Sequence, residues 1–284
     1  MNPIFNYERH KVRAGSFELR YWDEGSPDAQ TTLVLLHGIG SSAENWSWVM
    51  PYLTAHYRII ALDLPGYGLS PIPAAQEQKT LSLETTAHIL EQVITQLGLA
   101  KFVLVGHSMG AGIALQYSLD YPEHVQKLVL IAPNGFGKHI DFGSKLLTLP
   151  GVELLFKPSR ALIKSGLRQI VRQPIIEEDT FVDIMYHQYR RPGAWQWHLA
   201  LLRIGINFGG QKKLFTSREL SGFQVKTLLI WGSHDPLFPI AHAQSAHKRI
   251  PASTLHIIDD VGHNPPIEKP KIVVDFIENF VQAG

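Results

Sequence analysis

The 284-residue chain contains no cysteine. That absence excludes disulfides, thiolate metal sites and a cysteine nucleophile. Net charge is also missing: 26 Lys and Arg stand against 25 Asp and Glu, a formal +1. No global attraction to nucleic acid is therefore expected. No uninterrupted apolar run approaches the roughly 20 residues that a membrane-spanning helix requires. The opening stretch MNPIFNYERHKVRAG lacks a basic segment followed by a long apolar one. A secretory signal is accordingly not expected, and a cytoplasmic location is. Repeats and low-complexity tracts are absent, as is any His/Asp/Glu cluster at metal-ligand spacing, so neither a metal nor a cofactor is expected. Hydrophobic residues make up 45% of the chain and charged residues 18%, an ordinary soluble composition with ample material for a core.

Short apolar runs recur along the chain. A hairpin is predicted at the start, with Lys11-Val12-Arg13 and 17–22 flanking Ala14-Gly15. LVLLHG, RIIALDLPG, KFVLVG, VQKLVLIAP, KTLLIWG and TLHIIDDVG follow, each a run suited to a strand buried on both faces. Between them, 81–97 has helical spacing and stops at Gly98, and 267–281 predicts a closing helix. Strands alternating with helices predict a mostly parallel sheet covered on both sides. The rhythm fails between 134 and 220, where no strand-like run occurs and aromatic residues are frequent. That segment reads as a helical insertion, leaving 1–133 and 221–284 as the body.

The stretch FVLVGHSMGAGIALQYSL places Ser108 between glycines, where an apolar strand ends and a helix begins. Serine is a weak nucleophile until a base accepts its proton and a third group orients that base. The turn Gly106-His107-Ser108-Met109-Gly110 fits G-x-S-x-G, a tight strand-to-helix elbow that lifts the hydroxyl above the sheet. Two further strand ends supply partners: Asp235 in LLIWGSHDPLFP and His263 in DDVGHNPPIEKP. Functional groups of an open parallel sheet gather beyond the carboxyl ends of its strands, where all three residues stand. An oxyanion hole is assigned to the backbone N–H groups of Ile39, in LLHGIGSS, and Met109, with Gly40 as substitute for the first. His37 and His107 read as loop braces, and Asp63 as a turn former. His234, Asp259 and Asp260 are the rivals for the triad positions, and Asn134 cannot carry a charge.

Together LLHGIG, DLPGYGLS, GHSMGAGIAL, WGSHDPLFP and GHNPPIEKP resemble the α/β-hydrolase superfamily over about 17–281, apart from the insertion. The resemblance implies an α/β-hydrolase fold and a Ser108–His263–Asp235 triad. It also implies that 134–220 forms a helical cap over the active site. Serine at position 108 argues against the epoxide hydrolases and haloalkane dehalogenases of that superfamily, which use aspartate. The expected activity is hydrolysis of a small carboxylic ester with an apolar group, Phe136 and Phe238 serving as pocket walls. Carbon–carbon hydrolysis of a vinylogous diketo acid, thioester or acyl-carrier methyl ester hydrolysis, and a non-catalytic receptor are the alternatives. The 134–220 segment carries 13 Lys and Arg against 7 Asp and Glu. This excess suits an anionic partner such as an acyl carrier protein, a CoA ester or an acidic membrane surface.

Overall fold

The computed structural model describes residues 7–283. Its centre is an eight-stranded sheet. In chain order the strands are β1 (His10–Ala14), β2 (Phe17–Glu24), β3 (Thr32–Leu36), β4 (Arg58–Leu62), β5 (Phe102–His107) and β6 (Val125–Ile131). A two-residue pair follows, β7 (Ile206–Asn207) and β8 (Gly210–Gln211), and then β9 (Thr227–Gly232) and β10 (Ser253–Ile258). The large sheet has the order β1-β2-β4-β3-β5-β6-β9-β10. β1 and β2 are antiparallel to their neighbours, and every pairing from β4 to β10 is parallel.

Alternate residues of the central strands fill two separate cores. Val34, Leu36, Leu104 and Leu130 pack on one face beneath the helices Leu83–Gln96 and Met109–Asp120. Leu33, Leu35, Val103, Val105 and Val129 pack on the other, against the helix Pro270–Gln282. Burial on both faces explains why these strands read as unbroken apolar runs. The Leu83–Gln96 helix starts at Ser82, whose hydroxyl accepts the Thr85 N–H at 3.2 Å, and it ends before Gly98 at φ +64. Both boundaries follow from capping chemistry.

Two segments differ from the sequence expectation. The closing helix is split into Pro265–Glu268 and Pro270–Gln282, because Pro270 drives Lys269 out of the helical region to φ −139. Between β6 and β9, the helices Arg160–Ile170, Glu178–Tyr189 and Ala194–Gly205 dominate, but the β7–β8 hairpin is a strand pair that sequence periodicity missed. Two-residue strands carry no period to detect. No helix among the described residues is long and apolar enough to cross a membrane.

Candidate active site

Ser108 follows β5 at φ 54 and ψ −116, a region that non-glycine residues avoid and that persists where surrounding contacts enforce it. Those contacts are main-chain. A Cβ on Gly106 would lie 2.5 Å from Ala111 Cα, and one on Gly110 would lie 2.4 Å from the carbonyl oxygens of Leu36 and His37. The elbow is thus wedged between β3 and the Met109–Asp120 helix, and only glycine fits on either side of it.

Three separate strand ends bring the predicted triad together. His263 Nε2 lies 2.9 Å from Ser108 Oγ, and His263 Nδ1 lies 2.8 Å from Asp235 Oδ2. The carboxylate fixes the Nδ1–H tautomer, which leaves Nε2 free to accept the serine proton. Asp235 is itself held, its Oδ1 accepting the N–H groups of Leu237 at 2.8 Å and Phe238 at 2.9 Å. All three side chains are buried. The rival groups turn elsewhere. His234 Nδ1 lies 2.8 Å from Ser233 Oγ, that hydroxyl donates to Asp259, and Asp260 pairs with Arg172 at 3.0 Å.

Ile39 and Met109 line the same cavity as Ser108. The turn carrying Ile39 passes close to the serine, since a Cβ on Gly38 would lie 3.1 Å from Ser108 Cβ. Met109 opens its helix, so its N–H has no acceptor within that helix. The carbonyl of Gly40, the substitute donor, accepts the Tyr189 hydroxyl at 3.3 Å and Gln188 Nε2 at 3.4 Å, bonds that fix the turn and leave its N–H unaffected.

The two braces among the histidines take defined forms. His37 Nδ1–H donates to Gly38 O at 2.8 Å while its Nε2 accepts the Leu64 N–H at 3.0 Å. Burial pushes its pKa down to about 3; a second proton would also meet the Leu64 N–H head-on. His107 donates Nε2–H to the carbonyl of His263 at 2.8 Å, and burial lowers it too, to about 3. Asp63 does hold its turn, accepting the Ala43 and Leu69 N–H groups at 2.8 and 2.7 Å. It also forms a buried ion pair with Arg20 at 2.6 Å, which in turn meets Glu44.

A cavity of about 220 Å3 opens from Ser108. Apolar side chains form most of its wall, among them Leu64, Ile113, Ile140, Trp197 and Leu202, with Phe238 near the triad. Phe136 does not line it, which corrects the sequence expectation. Gly135 at φ 92 turns the chain inward there, so Phe136 packs 5.8 Å from the Phe215 ring and 5.1 Å beneath the Arg249 guanidinium.

Sequence reasoning missed Glu268. Its buried carboxylate accepts four backbone N–H groups: Arg172 at 2.7 Å, Gln173 at 3.1 Å, Gly262 at 2.9 Å and Asn264 at 3.1 Å. Two of these flank His263 and two belong to the long connection between β6 and β9. The His263 N–H itself donates to Ile170 O at 2.7 Å, so the same connection clamps the histidine directly. The available signal was a lone acid in the apolar, proline-flanked turn PPIEKP.

Comparison with known proteins agrees with this architecture. The hydrolase YugF of Bacillus subtilis (strain 168) is 30% identical over 269 residues, spanning 92% of this chain and 94% of that one. A 2-hydroxy-6-oxo-6-phenylhexa-2,4-dienoate hydrolase of Comamonas testosteroni is 27% identical over 277 residues, spanning 92% and 91%. The solved structure of carboxylesterase CesB from Bacillus subtilis superposes with a TM-score of 0.80 at 22% identity, over 99% of this chain and 93% of that one. A family model for the alpha/beta hydrolase fold matches residues 31–152 and 179–270. With that match over most of its length, the chain belongs to the α/β hydrolase fold family.

Proposed function

We propose that this hydrolase cleaves a carboxylic ester with an apolar acyl or alcohol group through an acyl-enzyme on Ser108. The observation that carries the reading is the continuous hydrogen-bonded chain Ser108–His263–Asp235, at 2.9 and 2.8 Å, opening into an apolar cavity. His263 Nε2 takes the proton from the serine hydroxyl as its oxygen attacks the acyl carbon, and Asp235 stabilises the imidazolium that forms. The N–H groups of Ile39 and Met109 hold the developing oxyanion, each donor contributing roughly 3 kcal/mol in the transition state. His263 then gives its proton to the departing alcohol. Water, activated by the same imidazole, attacks the acyl-enzyme and releases the acid. Residues 134–220 act as a cap that supplies the far wall of the cavity, with 1–133 and 221–284 as the catalytic body.

The Comamonas relative supports a second reading, hydrolysis of a carbon–carbon bond in a vinylogous diketo acid. Such a substrate carries a carboxylate, and the cationic side chains on the cavity wall are Lys212 and Lys213. Lys213 is already paired with Glu84 at 3.4 Å and Glu219 at 2.7 Å, and Lys212 Nζ donates to the Arg203 carbonyl at 2.5 Å, which favours the ester. Side-by-side assay of p-nitrophenyl esters and a meta-cleavage diketo acid separates the two. Ester turnover that falls by about four orders of magnitude or more in Ser108→Ala is the expected result. Faster turnover of the diketo acid would replace the ester reading with the second. Saturable ligand binding with no turnover of either would identify a receptor and end both.

A further inference from the structure

Near the mouth of the cavity the fold leaves large apolar side chains in water. Phe142 is 66% exposed, Leu154 79%, Leu155 81% and Phe208 52%. Single exposed apolar residues are ordinary, but a contiguous group marks an interaction surface. The segments that carry these residues are fastened to one another. The helix Phe142–Leu146 buries none of its residues, and the helix Val152–Leu155 buries only Val152. Arg203 ties both stretches to the helix Ala194–Gly205, donating to Thr148 O at 3.2 Å and Leu149 O at 2.8 Å and pairing with Glu153 at 2.9 Å. Phe208 lies in the β7–β8 hairpin that continues from that helix, and β8 is fastened to the start of the connection by the Gln211 N–H on Lys138 O at 3.0 Å.

Positive charge is in excess around this face: three lysines stand against one carboxylate, Asp141, that has no ion-pair partner among the described residues. Glu153 is taken up by Arg203, and Asp141 caps the Phe142–Leu146 helix through the Ser144 N–H at 2.9 Å. Lys138, Lys145 and Lys157 have no ion-pair partner among the described residues. Apolar side chains rimmed by unpaired lysines are the composition that binds the boundary between anionic headgroups and acyl chains. A second copy of this chain is a poorer occupant, because a two-fold contact would set these lysines against their own counterparts.

We propose that this face docks on an anionic lipid surface. Phe142, Leu154, Leu155 and Phe208 enter the acyl boundary, while Lys138, Lys145 and Lys157 meet the phosphates. Among the residues lining the cavity, Glu84, Gly205 and Lys212 are exposed and mark its mouth. Gly205 ends the very helix that Arg203 binds to the patch, so docking turns the mouth toward the lipid. An ester dissolved in the bilayer then reaches Ser108 without crossing water. This last step rests on the proposed ester reading; the docking does not.

Co-sedimentation of the full chain with phosphatidylglycerol or phosphatidylcholine vesicles tests the proposal. The chain is expected to bind phosphatidylglycerol at least roughly tenfold better than phosphatidylcholine and to be released by salt. Both Leu154→Ser/Leu155→Ser and Lys145→Glu/Lys157→Glu should lose about tenfold of that binding while keeping the circular-dichroism spectrum. Ser108→Ala should bind as the parent does, so loss of hydrolysis and loss of docking are read separately. Absence of vesicle binding, or equal binding by the parent and the variants, overturns the proposal. So does a concentration-dependent rise in sedimentation coefficient that Leu154→Ser/Leu155→Ser removes, since a second copy then covers the face. Failure on vesicles with a salt-sensitive KM for a CoA ester would assign the charge to an anionic carrier and overturn it equally.

Discussion

A Cβ added to Gly110, beneath the serine, would lie 2.4 Å from two main-chain oxygens, whereas one added to Gly166 or Gly205, in the connection between β6 and β9, meets no atom within 4 Å. The floor of the cavity is defined by backbone against backbone, with β3, β5 and the Met109–Asp120 helix in mutual contact. Its roof is defined by side chains reaching down. Trp197 Nε1 donates to Pro65 O at 3.0 Å, Arg191 binds the carbonyls of Ser70 and Gly66 at 3.0 and 2.8 Å, and the Gly68 N–H donates to Gln188 Oε1 at 2.8 Å. Within the roof, partly exposed pairs such as Arg168–Glu178 and Lys164–Glu178 join adjacent helices, and pairs of that kind contribute about 0–1 kcal/mol each. A main-chain floor admits one geometry for the nucleophile. A side-chain roof can be altered residue by residue.

The comparison breaks if the floor tolerates volume. Gly110→Ala should lower the unfolding free energy by more than about 3 kcal/mol, because neither the end of β3 nor the helix can retreat alone. Urea denaturation followed by tryptophan fluorescence measures it. A loss below about 1 kcal/mol would mean that the strand end yields and that the floor is as adaptable as the roof.

Floor and roof meet at Glu268, and the next prediction concerns that joint. Glu268→Gln keeps the shape but turns an amide NH2 toward at least one of four N–H donors. The expected cost is about 2–4 kcal/mol of stability, since charge-assisted bonds are replaced by weaker ones and one buried donor is orphaned. Because Gly262 and Asn264 flank the imidazole of His263, the proposed base, kcat should fall as well, by about tenfold. A stability loss with kcat unchanged would show that Glu268 fastens the β6–β9 connection without positioning His263.

The division between floor and roof also decides what could be read in the sequence. The central strands β3, β4, β5, β6 and β9 are buried on both faces, so their apolar runs appear without any knowledge of neighbours. Ser108, Asp235 and His263 were legible because each stands just past such a run, and strand ends in a parallel sheet converge. Phe136 stands just past β6 as well, yet it turns inward at Gly135 to meet Phe215 and Arg249. Nothing local distinguishes it from a pocket wall. Glu268 was illegible for a related reason: two of its partners, Arg172 and Gln173, lie 96 and 95 residues away in the chain. Contacts between the β6–β9 connection and the rest of the chain are long-range and made by single side chains, so they leave no periodic trace.

Acid should reveal whether the two walls unfold together. Burial holds His37 and His107 of the floor at about 3 and His198 of the roof at about 4. In the unfolded chain a histidine titrates near 6.5. Above that pH neither state binds the proton, so these groups contribute no pH dependence. Below it the unfolded state takes up protons that the folded state refuses, and stability falls as pH falls toward the folded values. Each histidine contributes up to about 1.4 kcal/mol per pH unit, while Asp63, which burial raises to about 7, takes up a proton in the folded state over the same range and opposes them. Urea unfolding at pH 7 and pH 5.5 should show a net loss, and His198→Phe should reduce that loss by about 1 kcal/mol. If His198→Phe changes only an early partial transition, the roof opens before the floor and the two are separate cooperative units.

The smallest expected effect sharpens the contrast most directly. Gly166 lies within the Arg160–Ile170 helix, and a Cβ there meets no atom within 4 Å. Alanine at that position keeps the helical backbone and removes freedom from the unfolded chain, so Gly166→Ala should stabilise by about 0.5–1 kcal/mol. The same substitution, glycine to alanine, is thus expected to have opposite signs 56 positions apart in one chain: destabilising at Gly110, stabilising at Gly166. The helix also supplies the Ile170 carbonyl that holds the His263 N–H, so a stiffer helix should leave kcat intact. A rise in melting temperature with unchanged kcat places Gly166 where the roof tolerates change. A loss of activity at unchanged stability would mean that this helix must flex during turnover, and the roof would then take part in catalysis through its motion as well as its shape.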